Sequence, residues 1–85
     1  MANSTSTAPC VRIALDIRGL PPPEPMQRVF EALARLPPTG TLVVQSDCQL
    51  FLLYEMLEAD GWSRSIRWAA RNHWEICIWR PEEVL

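Results

Sequence analysis

Lysine is absent from this chain, histidine occurs once, at position 73, and glycine only three times. Without lysine no Schiff-base chemistry is open to it. Eight arginines face ten acidic residues for a net charge of −2. That balance supplies no basic field for a phosphate backbone, so nucleic-acid binding is not expected. Cysteine appears at positions 10, 48 and 77. The odd number and wide spacing form neither a disulfide framework nor a CxxC metal pattern, which leaves free thiols in a reducing compartment. His73 lacks a second ligand at metal spacing, because Cys77 lies about 13 Å further along an extended chain. No metal and no cofactor is expected. The longest apolar run, residues 50–54, is far too short for a bilayer span. Residues 1–9 lack the basic start and apolar stretch of a signal peptide. A cytoplasmic protein without membrane association is the expectation.

What is present fills one domain of 85 residues. Residues 1–9, rich in Ser, Thr, Ala and Asn, read as a disordered tail, residues 10–80 as a single domain, and residues 81–85 as a second tail. Strict alternation over 10–17 makes a half-buried strand, with Val11, Ile13 and Leu15 on one face. Pro25 suits a first helical position, and Met26, Val29, Phe30, Leu33 and Leu36 recur at helical spacing, so a helix is predicted over 25–36. Glu31 and Arg35 stand four apart on its wet side. Pro37-Pro38-Thr39-Gly40 ends it. Residues 41–46 form a β-branched strand. Asp47 is an N-cap candidate for a helix over 48–60, with Gly61 placed for a left-handed C-terminal residue. Alternation over 62–68 and again over 73–80 gives a closing hairpin. The order βαβαββ implies an α/β (α+β) two-layer sandwich: a four-stranded mixed sheet with both helices on one face.

The stretch Leu15-Asp16-Ile17-Arg18-Gly19-Leu20-Pro21-Pro22-Pro23-Glu24-Pro25-Met26 resembles the TusA/SirA sulfur-carrier family, whose signature is a strand followed by Gly-Leu-x-Cys-Pro-x-Pro at the first helix. Here Pro22 stands where the carrier cysteine would be, as in an uncharacterised bacterial branch of that family. The resemblance covers about residues 10–80. The Leu36 to Gly40 turn, the Gly61-Trp62 junction and Trp74 and Trp79 near the end fit it. It implies a TusA-like fold. It does not imply persulfide relay by the usual route, since a pyrrolidine ring cannot hold sulfane sulfur. The family's thiol works at a helix N-terminus, where the dipole and free N–H groups favour thiolate.

The candidate site is therefore the loop Asp16, Arg18, Gly19, Leu20, Pro21, Pro22, Pro23, Glu24 and Pro25, with Asp47 on its rim. Parallel neighbouring strands bring Cys48 to the same sheet edge. It is either a relocated reactive thiol or a small apolar residue at a helix start. Asp16, Arg18 and Glu24 either offer charge to a ligand or serve loop pairing and helix-dipole compensation. Trp62, Trp68 and Trp74 are read as core. Trp79 falls on the outer register with His73, Glu75 and Cys77, and Ala14 and Val43 face the same way. Phe51, Leu52 and Met56 leave the second helix apolar almost all round. Either patch is an expected interface for a protein partner or a second copy. The leading expectation is a non-enzymatic TusA-like interaction or adaptor module. A sulfur-relay or thiol-redox protein using Cys48 is the alternative, and small-anion or cofactor binding at the paired helix N-termini the third.

Overall fold

The computed structural model describes residues 11–81. The tail expected at 1–9, Cys10, and all but Pro81 of the tail expected at 81–85 lie outside the described residues. Six elements follow in the order β1 (Val11–Asp16), α1 (Glu24–Ala34), β2 (Gly40–Ser46), α2 (Phe51–Ala59), β3 (Ser63–Ala70) and β4 (His73–Trp79). The sheet order is β1-β2-β4-β3. β1 and β2 are parallel, and β4 runs antiparallel to both of its neighbours. This is the α+β architecture with a four-stranded mixed sheet that the alternation of periods 2 and 3.6 predicts.

The core lies between the helices and one face of the sheet. Val29 and Leu33 of α1 and Leu53, Tyr54 and Leu57 of α2 close over Leu42 and Val44 of β2 and Ile76 and Ile78 of β4. Each buried aliphatic side chain of this kind contributes about 1.5–3 kcal/mol of hydrophobic stabilisation. Leu36 ends the α1 stripe in the core, next to Gly40, where a Cβ would come within 2.9 Å of the Leu36 Cδ1. A side chain at 40 would thus press on Leu36 and on the Pro37 Cδ at 3.1 Å, with no unusual φ involved.

α1 begins one residue before the expected position, at Glu24, with Pro23 as N-cap and Pro25 in its first turn. The i,i+4 ion pair along it joins Arg28 to Glu24 at 3.6 Å, not Arg35 to Glu31. α2 departs further from expectation. It starts at Phe51 rather than 48, and Asp47 does not cap it. The physical reason is competition: the Asp47 carboxylate accepts from the Gly19 N–H at 2.9 Å, and the Cys48 N–H donates to Ser46 Oγ at 3.3 Å. With both groups engaged outside the helix, the chain turns helical only after Leu50. The far end follows the sequence signal. Gly61 has φ +81°, its N–H donates to the Glu58 carbonyl, and the Trp62 N–H donates to the Leu57 carbonyl. That bond pair is a Schellman cap.

The tryptophans divide differently from the core reading. Trp62 packs against the core as a partly buried residue, and Trp74 is half-buried. Trp68 is 62% exposed, which overturns its assignment to the core. It does face the helix side, opposite Trp74, but β3 is the edge strand and a bulge follows between Trp68 and Ala70. Alternation fixes the face a side chain takes, and nothing in the described chain reaches far enough to cover this one.

Candidate functional site

Both parallel strands end at the same sheet edge, and their following loops are tied together there. Ile17 is buried, and its N–H donates to the Gln45 carbonyl at 2.9 Å, carrying β1 one residue past its formal end. Arg18 then folds back on Asp16: its N–H, Nε and Nη2 donate to the two carboxylate oxygens at 3.0, 3.0 and 2.9 Å. Those side-chain and backbone hydrogen bonds from Arg18, with its positive charge and that of His73, pull the Asp16 carboxyl down from 3.8 to about 2. Gly19 follows at φ +79°, a left-handed conformation that favours glycine, and gives its N–H to Asp47. Leu20 reaches in against the core, while Pro21, Pro22 and Pro23 stand exposed.

The loop feeds directly into α1. The Glu24 N–H donates to the Pro21 carbonyl at 2.9 Å, and the Gln27 N–H closes the first helical turn on the Pro23 carbonyl at 3.2 Å. Pro25 has no N–H. A helix start usually offers several free donors to an anion; here the N-cap Pro23 also lacks one, so three of them are engaged or missing, and Glu24 and Asp47 add negative charge. α2, opening at the apolar Phe51 after residues 48–50, presents no matching charged cap. The α1 N-terminus therefore makes a poor anion cradle in this chain.

Cys48 is exposed at the same edge, next in sequence to the carboxylate that holds Gly19. Its carbonyl accepts from Ser46 Oγ at 2.6 Å, and Ser46 is itself buried. The thiol is thus carried on a fixed turn, three residues ahead of α2 rather than at its first residue. The charge-and-dipole setting expected for a helix-start thiolate is not built around it.

The uncovered face of the sheet is ordered in rows. Asp16, Gln45, Glu75 and Arg67 share one register across all four strands. Gln45 Nε2 donates to Glu75 at 3.1 Å, Arg67 donates to the other Glu75 oxygen at 2.7 Å, and Gln45 Oε1 pairs with His73 Nε2. The Gln45 hydrogen bond, assisted by the Arg67 charge, holds Glu75 below the usual carboxylate range. The next row is Ala14, Val43, Cys77 and Ser65, and the last is Arg12, Thr41, Trp79 and Ser63. Trp79 therefore does face outward with Cys77 and Val43. Val43 itself is buried at 8% exposure, so the apolar area here is small and framed by polar rows. Phe51, Leu52 and Met56, in contrast, are exposed on α2.

A groove of about 370 Å³, which no local signal in the sequence marks, lies at the opposite end, lined by Phe30, Leu33, Ala34, Asp60, Trp62 and Arg80. The Arg80 guanidinium lies 4.2 Å over the Trp62 ring. Its walls come from three distant stretches, and only the fold assembles them. Among the described residues no group of three His, Cys, Asp or Glu side chains converges as for a metal ion. No helix among them is long and apolar enough to cross a membrane.

A family model described as an uncharacterized conserved protein (DUF2249) matches residues 14–80. No curated protein and no solved structure matches the chain.

Proposed function

Since this chain belongs to the uncharacterized conserved family DUF2249, we propose that it is a non-enzymatic adaptor that presents the 18–25 loop to a protein partner. The observation that carries the reading is the loop's construction. Three exposed prolines form a stiff projection, fixed at one side by Gly19 on Asp47 and at the other by the start of α1. A prearranged loop loses little conformational entropy on docking, which favours recognition. On this reading the domain is a TusA-like scaffold in which Pro22 occupies the carrier cysteine's place, and the surface has been kept for contact rather than for sulfur transfer. Its location is cytoplasmic, and it uses neither nucleic acid nor a bound cofactor.

The test is affinity capture with the full chain beside Pro22→Ala, Glu24→Arg and a control change at Arg35, which lies at the other end of α1. A partner retained by the wild type and the control but lost with the two loop variants supports the adaptor reading. Retention that is indifferent to the loop overturns it.

One observation favours a second reading. Cys48 is exposed beside the same loop. If it accepts sulfur, incubation with a cysteine desulfurase and cysteine adds the mass of one sulfur atom, and Cys48→Ser abolishes the gain. An unchanged mass in the wild type removes this reading.

A further inference from the structure

The sheet ends in β3, and among the described residues no strand pairs with its outer side. Open edges of eight residues invite pairing with another chain. Along the helix-side face of this edge run Arg64, Ile66 and Trp68, the last two 36% and 62% exposed. α2 extends the same margin. Arg64 lies over the Tyr54 ring at 5.4 Å, and Phe51, 67% exposed, stands edge-on to Tyr54 at 5.9 Å. Large aromatic side chains, the kind that carry much of an interface's energy, are thus left at an open strand edge.

We propose that β3 pairs antiparallel with β3 of a second copy of this chain, about a two-fold axis at Ile66. The two sheets then form one sheet of eight strands with all helices on one side. Charge and register select this pairing. When both copies keep their helices on the same side, the axis must pass through a residue of β3. An axis at Arg64 or Arg67 sets arginine against its own copy, which repels. An axis at Ser65 sets Trp68 against Trp62, which precedes the strand and is already covered by Arg80. An axis at Trp68 runs into the bulge between Trp68 and Ala70. At Ile66, aliphatic meets aliphatic, each Arg67 faces Ser65, and each Arg64 faces the Trp68 ring of the second copy. Each Arg67 keeps its ion pair with Glu75 of its own chain at 2.7 Å. Arg64 thus joins Tyr54 of its own chain to Trp68 of the other, a cation–π contact on both sides. The loop 18–25 takes no part, so this surface stands independently of the adaptor reading.

Light scattering on the full chain alone, without any partner protein, reads the assembly, and cross-linking reads the register. In a background with Cys10, Cys48 and Cys77 changed to serine, Ile66→Cys forms an interchain disulfide under a mild thiol oxidant and Ser63→Cys does not. Trp68→Ala, at an exposed position, raises the monomer–dimer midpoint by about tenfold while its circular dichroism and unfolding midpoint in dilute solution stay those of the wild type. A monomer at every concentration, equal cross-linking of S63C and I66C, or an unaltered midpoint in W68A overturns the proposal. Loop variants at Pro22 and Glu24 leave the dimer intact, so their effect on partner capture is read separately.

Discussion

Asp16 and Asp47 show how one residue type serves two ends at the motif. Asp16 is satisfied within its own turn by Arg18, and its carboxyl sits near 2 instead of 3.8. A depressed carboxylate stabilises the fold fully above its unfolded value and loses that contribution as pH falls towards its folded one. The unfolding midpoint of the wild type in urea should therefore exceed that of Asp16→Asn by a constant, small margin at neutral pH. The margin should shrink between about pH 4 and pH 2. It should also shrink in high salt, because the pair is exposed. A margin still undiminished at the acid end contradicts this account. Asp47 acts at a distance of 28 residues in sequence, holding Gly19. Asp47→Ala removes the acceptor and should cost about 0.5–1.5 kcal/mol, with faster hydrogen exchange at the Gly19 amide; Asp47→Asn, which keeps an oxygen acceptor, should restore most of the protection. That Asp47 is a capping type of residue is readable in the sequence. Which N–H it caps is not, because Gly19 becomes its neighbour only when β1 and β2 align.

Element by element, the signals that succeed are those whose physics is local. Gly61 after the apolar run of α2 marks a left-handed terminus, and the two cap bonds to Leu57 and Glu58 follow from the chain's own geometry. A Cβ at Gly61 would meet no atom within 4 Å. The whole penalty of Gly61→Ala is thus backbone strain, about 1–2 kcal/mol in chemical denaturation; Gly61→Asn, which tolerates the same φ, should lose less. Gly40→Ala should lose stability for another reason, the close approach to Leu36 and Pro37, and part of that loss should be recovered by shortening Leu36 to alanine or valine, a change that cannot rescue Gly61→Ala. The start of α2 is the opposite case. Asp47 and Cys48 satisfy local helix rules, yet Asp47 is recruited by the 18–25 loop and the Cys48 N–H by Ser46 at the end of β2, so the helix opens late. Trp68 is illegible in the same sense: period 2 gives its face, while cover over an edge strand depends on where α2 lies.

At the scale of the molecule the two ends of the sheet carry different surfaces. The loop 18–25, Cys48, Trp74 and Trp68 gather at one end, because Ser46, Trp74 and Trp68 lie in one register row beside the Asp16 edge. Trp62, Trp79 and the groove under Arg80 gather at the other, where β2 begins. The 18–25 loop is readable because its residues are contiguous; its neighbours Trp74 and Trp68, like the groove residues Phe30, Asp60 and Arg80, meet only after folding. This division makes tryptophan fluorescence report on position. If β3 pairs with a second copy, Trp68 stacks against Arg64 on assembly and is released on dilution, while Trp62 keeps its own Arg80 throughout. A protein carrying Trp62→Phe and Trp79→Phe should therefore shift its emission to longer wavelength as it is diluted through the monomer–dimer midpoint. Trp68→Phe should show no such shift over the same range. Emission that moves equally in both, or in neither, would place the contact away from the β3 edge.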